Sequence, residues 1–188
     1  MLQYRNLQDI GRPLVLIGLM GAGKSSIGRR LAKRLGMEFV DADAEIEKAA
    51  GRSINDIFAE FGEAAFRDGE RRVIARLLDG RPMVLATGGG AFTDGETRAL
   101  IGERGISIWL DADLDVLVER TSRRDTRPLL KDGDPREILD RLARERFPIY
   151  AEADICVKSG TGPHDEVVDA IIATLSEMML CGVSDDGA

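Results

Sequence analysis

Cysteine is nearly absent from this chain of 188 residues: only Cys156, in an apolar strand-like run, and Cys181, near the end, occur. A disulfide framework is therefore not expected, and with it the small secreted scaffolds that depend on one. Histidine occurs once, as His164 beside Pro163 at an expected helix start, and reads as a surface residue outside any catalytic set. No apolar run approaches the roughly 20 residues needed to cross a bilayer. Residues 1–12 lack the basic-then-apolar layout of a secretory signal. Basic residues are outnumbered, 26 Lys and Arg against 33 Asp and Glu, for a formal net charge of −7. That balance argues against a nucleic-acid partner. Internal repeats, low-complexity linkers and a heptad seam are also missing. These absences lead to the expectation of a cytoplasmic, single-domain protein with no membrane or nucleic-acid partner, monomeric by default.

What the chain does contain is a strict alternation of strand-sized apolar runs with helix-period segments. The runs fall at 14–17, 39–40, 83–86, 106–110 and 155–157. Helical patterns fall near 24–35, 43–50, 53–61, 63–79, 95–103, 113–122, 135–146 and 165–179. This alternation predicts a parallel sheet covered on both faces, a three-layer α/β/α domain. Ligands in such folds bind beyond the carboxyl ends of the strands. The boundaries expected are an N-terminal extension at 1–12, one domain at 13–180 and a flexible tail at 181–188. A charged excursion at about 122–134 fits no element, and its length suggests a functional loop.

The first strand leads directly into Gly18-Leu19-Met20-Gly21-Ala22-Gly23-Lys24-Ser25, the pattern G-x-x-x-x-G-K-S opening a helix. Its glycines let consecutive N–H groups turn inward on a polyphosphate. Lys24 can reach the outer phosphates and the Ser25 hydroxyl can ligate Mg²⁺. The donor is a nucleoside triphosphate; this motif leaves the acceptor open.

Other constellations lie at the remaining strand ends. Asp41 and Asp43, two apart after the second strand, could serve a metal and an acceptor hydroxyl, or could simply cap the next helix. Arg67, four residues after Glu63, fits a solvated intrahelical ion pair or a fork for a substrate carboxylate. Phe66 beside it reads as core. Gly88-Gly89-Gly90 follow the third strand, where three glycines permit very close approach of a ligand to the backbone. Arg127 lies in the charged excursion, within the cluster Arg120, Arg123, Arg124 and Arg127. A mobile, arginine-bearing loop there has the layout of a closing lid over a phosphoryl transfer. Arg146 in Leu142-x-x-x-Arg146-x-x-x-Tyr150 could share an anionic substrate with Arg67, or sit on the exposed face of an amphipathic helix. Trp109 reads as core packing.

In their order and spacing these motifs resemble the shikimate kinase family over nearly the whole chain, from about residue 13 to the last helix. The resemblance implies a five-stranded parallel sheet of the P-loop kinase type, with a mobile lid. It also implies ATP-dependent phosphorylation of the shikimate 3-hydroxyl to shikimate 3-phosphate and ADP, a step toward chorismate and the aromatic amino acids. Catalytic roles would fall to Asp43, Lys24 and Arg127. Gly21, Ala22, Gly23, Lys24, Ser25, Ser26, Arg120 and Arg127 would bind ATP, with Arg120 on the adenine and the Gly162-Pro163 region opposite it. Asp43, Phe66, Arg67, Gly88, Gly89, Gly90 and Arg146 would bind shikimate, with Glu70 bracing Arg67. Mg²⁺ would be held by Ser25 and Asp41. A related polyol kinase, such as a gluconate kinase, or a non-catalytic ligand sensor built on the same scaffold are the competing readings.

Overall fold

The most apolar of the short runs become the centre of a sheet. In the computed structural model, which describes residues 10–122 and 133–182 (the last two by backbone alone), strands β1 (Leu14–Ile17) and β3 (Met83–Ala86) are buried along their full length. Beside them lie β4 (Ile106–Asp111) and, at the two edges, β2 (Glu38–Asp41) and β5 (Ile155–Lys158). All neighbours pair in parallel, in the order β2-β3-β1-β4-β5. Burying each of Leu14, Val15, Leu16 and Ile17 contributes about 1.5–3 kcal/mol of transfer free energy, which is why a four-residue strand holds its place. The edge strand β5 alternates buried and exposed residues, as a half-covered strand should.

Among the described residues the helices are α1 (Lys24–Leu35), α2 (Ala42–Ala50), α3 (Ile54–Leu78), α4 (Gly95–Arg104), α5 (Leu114–Ser122), α6 (Pro135–Tyr150) and α7 (His164–Gly182), with a 3₁₀ turn at Ala91–Thr93. Helix α1 buries Ile27, Leu31 and Leu35 along one stripe and lies across β1, β2 and β3, with α7 beside it and over β5. Leu16 faces Gly28 of α1, whereas Val15, one residue earlier, faces Gly105 at the end of α4. The sheet is thus covered on both sides, as the alternating pattern predicts. None of the described helices is long and apolar enough to cross a membrane.

Three boundaries differ from expectation. The patterns at 53–61 and 63–79 join into one element, α3, kinked at Gly62, whose φ of 79° lies outside the helical region. Helix α6 continues through Pro148 to Tyr150, beyond the expected 146. Pro148 lies in the last turn, where the cap already tightens through the Ala151 N–H on the Phe147 carbonyl, and Tyr150 is fully buried. Helix α7 extends to Gly182, over the first two residues of the expected tail. The excursion at 122–134 narrows from both ends: Ser122 closes α5, and Asp134 caps α6 by accepting from the Arg136 N–H at 2.9 Å. Arg123, Arg124 and Arg127, the expected lid residues, lie outside the described residues.

Candidate active site

Because the chain crosses from β1 to β2 on one side and later returns to β4 on the other, the sheet order reverses at β1. A crevice opens there beyond the strands' carboxyl ends. The crevice is a cleft of about 810 Å³, and the P-loop, the β2–α2 junction, α3, the triple-glycine loop and α6 all contribute to its wall.

The loop from Gly18 to Gly23 is shaped by backbone conformations that L-residues rarely adopt. Gly18 is the tightest point, with φ +140° and room for a Cβ only 2.9 Å from the Leu110 carbonyl oxygen on β4. Gly18→Ala should therefore cost about 1–3 kcal/mol of stability, read as a lowered urea midpoint with unchanged slope. An unchanged midpoint would show that the loop can shift away from β4. Lys24 folds back over the loop and donates to the Gly18 and Leu19 carbonyls at 2.7 and 3.0 Å. Gly21, Gly23, Ser25 and Ser26 line the cleft with it. Ala22 does not: it is 1% exposed and its N–H is taken by the Leu19 carbonyl at 3.1 Å. Its small side chain fills the core under the loop.

Asp41 and Asp43 do not sit side by side on an extended chain. Asp41 ends β2 and Asp43 already belongs to α2. Asp41 caps the helix, its Oδ1 accepting from the Asp43 N–H at 3.1 Å, while its Oδ2 accepts from the Ser25 hydroxyl at 3.0 Å. Ser25 and Asp41 thereby present adjacent oxygen donors at the cleft wall. That set suits a hard cation such as Mg²⁺, which keeps water and phosphate oxygens for its other positions. No cluster of three or more His, Cys, Asp or Glu able to hold a metal exists among the described residues, as such a shared site allows.

Opposite the P-loop, every glycine of the triplet faces charged side chains. A Cβ on Gly88 would lie 3.0 Å from Asp43 Oδ1 and 3.1 Å from Glu70 Oε1. One on Gly89 would lie 3.4 Å from Arg146 Nη1, and one on Gly90 only 2.7 Å from Arg67 Nη1. Two guanidiniums and two carboxylates converge on this short segment, most tightly at Gly88 and Gly90.

Arg67 forms the i,i+4 pair with Glu63 at 3.4 Å and also lines the cleft. Its stronger partner is Glu70, at 2.7 Å. Glu70 is 2% exposed, and its other oxygen, Oε1, has no partner. Burial holds its carboxyl above the usual carboxylate range, against the opposing pull of Arg67.

Arg146 lies on α6 one turn before Tyr150, whose fully buried hydroxyl donates to the Gly89 carbonyl. Burial raises the phenol's pKa, partly offset by Arg146. Trp109 and Phe147 pack around the ring, so Trp109 is core as expected, 8% exposed.

Arg120, on α5, ties the P-loop to the segment after β5, donating to the Gly160 carbonyl at 2.6 Å and the Gly21 carbonyl at 3.3 Å. His164 overturns its expected surface role: it is half-buried and lines the cleft at the Gly23 end of the loop. No local pattern marks it, because its neighbours there are distant in sequence. Asn55 and Phe58 of α3 also reach the cleft without a motif; Phe58 lies against the Phe66 ring at 4.6 Å.

Comparison with known proteins agrees with this geometry. The sequence profile of the shikimate kinase family matches residues 20–176. The chain is 63% identical over 171 residues to a shikimate kinase of Paramagnetospirillum magneticum, covering 91% of this chain and 86% of that one. It is 60% identical over 166 residues to a shikimate kinase of Caulobacter vibrioides, covering 88% and 83%. Its backbone superposes with a TM-score of 0.86 on the Acinetobacter baumannii shikimate kinase solved in complex with shikimate, at 36% identity over 92% of this chain and 96% of that one. A β1–P-loop–α1 donor site facing two guanidiniums across a glycine triplet, together with these relatives, shows that the chain belongs to the shikimate kinase family.

Proposed function

We propose that this cleft transfers the γ-phosphoryl group of ATP to the 3-hydroxyl of shikimate, with the residues above in defined roles. The chain is an enzyme of this family, an ATP-dependent phosphotransferase of the route to chorismate and the aromatic amino acids. One observation carries the assignment of roles. A Cβ on Gly89 would lie 3.5 Å from the Gly18 carbonyl oxygen of the P-loop and 3.4 Å from Arg146, so one residue joins the donor half of the cleft to the acceptor half.

Phosphoryl transfer asks the protein chiefly for alignment and charge neutralisation. Lys24 would exchange its loop carbonyls for phosphate oxygens, and Ser25 and Ser26 would face the same chain of phosphates. Ser25 and Asp41 would hold Mg²⁺, which supplies charge neutralisation between the phosphates when bound. Arg67 and Arg146 would grip the substrate carboxylate, with Phe66 and Gly88–Gly90 shaping the pocket around its ring. Asp43, facing Gly88, would orient the acceptor hydroxyl and take its proton. Arg120 would meet the nucleoside. Arg127, which lies outside the described residues, would neutralise the phosphoryl group in flight.

A coupled ADP-release assay with shikimate, quinate and gluconate side by side tests the acceptor. Turnover should be greatest with shikimate, vanish on chelation with EDTA and return with added Mg²⁺. Preference for gluconate would reassign the pocket to a polyol kinase. Activity that persists in EDTA would remove Ser25 and Asp41 from a metal role.

A further inference from the structure

Arg71 lies on α3 one turn beyond Arg67, next in sequence to Glu70, and stands outside the cleft wall. Its guanidinium crosses to Asp94 as a fork, Nε on Oδ1 at 3.3 Å and Nη2 on Oδ2 at 3.1 Å, while Nη1 lies 2.8 Å from Glu96 Oε2. Asp94 closes the 3₁₀ segment that opens at Gly90. It caps α4 by accepting from the Thr97 N–H at 2.8 Å, and the Thr93 hydroxyl just before it donates back to the Gly90 carbonyl at 2.6 Å. Helix α3 therefore approaches this segment at two charged points one turn apart: Arg67 beside Gly90, and Arg71 on Asp94.

The two points differ in kind. Arg67 bonds to Glu63 and Glu70 of its own helix, contacts that orient its side chain but leave the gap to Gly90 unset. Apolar packing is also divided at this level. Ile74 and Leu78 join the main core, as do Ala91 and Phe92 of the segment, whereas Phe66 and Val73 pack in a separate small cluster with Ile46 and Ile57. Apolar contact is non-directional, while a guanidinium gripping both oxygens of a carboxylate fixes distance and angle together. We infer that Arg71 is a positioning residue for the acceptor: its pairing with Asp94 sets the opening between α3 and the glycine segment, and so the place where Arg67 meets the substrate carboxylate. The inference rests on the reading of Arg67 as the partner of that carboxylate. A displacement on the order of 1 Å in such an arrangement can cost about a hundredfold in rate.

The test uses the full chain, with steady-state kinetics for shikimate and ATP. Arg71→Met keeps the length of the stem without the fork. It should raise KM for shikimate about three- to thirtyfold and change KM for ATP by less than about twofold. The fall in kcat should be smaller than the rise in KM, because Asp41 rather than α3 holds Ser25 and the Asp43 N–H. Asp94→Asn preserves the cap, since asparagine caps a helix as well as aspartate, but removes the charge that the fork grips; it should raise KM in the same way. The double variant should be no worse than the more impaired single one, as expected for two ends of one contact. Arg71→Lys restores the charge without the fork and should recover part of the loss. KM for shikimate unchanged in Arg71→Met and Asp94→Asn, single effects that multiply in the double variant, or equal losses for shikimate and ATP would overturn the inference. Should Arg71→Met fail to fold, Asp94→Asn decides alone. An unchanged KM for shikimate in Arg67→Ala would remove the reading of the carboxylate site, and this inference with it, whereas an impaired Arg67→Ala beside a normal Arg71→Met would remove this inference only.

Discussion

Asp43→Asn should lower kcat by about 10²- to 10⁴-fold while MgADP binding stays close to that of the unsubstituted chain. The amide keeps the size of the carboxylate but cannot take a proton from the acceptor hydroxyl. The donor half is untouched, because Lys24 and Ser25 hold their positions through the Gly18, Leu19 and Asp41 contacts. The Asp43 backbone N–H still satisfies Asp41 Oδ1, so the start of α2 should survive the change. Steady-state kinetics with shikimate and calorimetry with MgADP separate the two halves. A kcat near that of the parent would remove Asp43 from the acceptor role and leave it only its place in the helix.

Arg67→Ala should produce two large effects that can be pulled apart. Losing one charged hydrogen-bond donor to a carboxylate, worth about 1.5–3 kcal/mol, should raise KM for shikimate about ten- to a hundredfold and leave KM for ATP nearly unchanged. Equal changes in the two would count against carboxylate recognition. The second effect falls on stability, because Arg67 is the partner of Glu70, which is 2% exposed. An unpaired buried carboxylate costs about 3–5 kcal/mol when it must stay ionised.

Burial already raises the Glu70 pKa, and loss of Arg67 removes the main opposing influence. A carboxyl whose folded pKa lies above its unfolded value, about 4.3, adds stability below that value and loses it as the pH rises through the folded pKa. The stability deficit of Arg67→Ala should therefore be larger at pH 8 than at pH 5.5 in urea melts. Adding Glu70→Gln should recover much of that stability without recovering KM. A double variant as unstable at pH 8 as the single one would rule out the buried-charge account.

The parts of this site that were legible in the sequence share one property: their chemistry is carried by neighbours along the chain. The P-loop could be read because strand, glycines, lysine and serine follow one another, and the cap at Asp41 because capping is a local hydrogen bond. The open choices were those decided across the fold. Arg67 could equally have been a solvated ion pair until its contacts with Glu70 and Gly90 were seen. By spacing alone Arg146 fits an exposed helix face; in the fold it lines the cleft beside Gly89, 57 positions away in sequence. His164 was misplaced for the same reason: the P-loop and α5 come to it from far along the chain.

By itself, then, the sequence determined the alternating α/β architecture, the phosphate donor and, through motif order, the family. These follow from apolar periodicity and from glycine and capping chemistry, which act within a few residues. Only the tertiary structure decided which charges share the acceptor pocket, how they meet the glycine triplet, and that Ala22 is core while His164 is cleft. Those outcomes depend on a sheet whose order reverses at β1 and on close packing that sets Gly88 and Gly90 tightly against their charged neighbours.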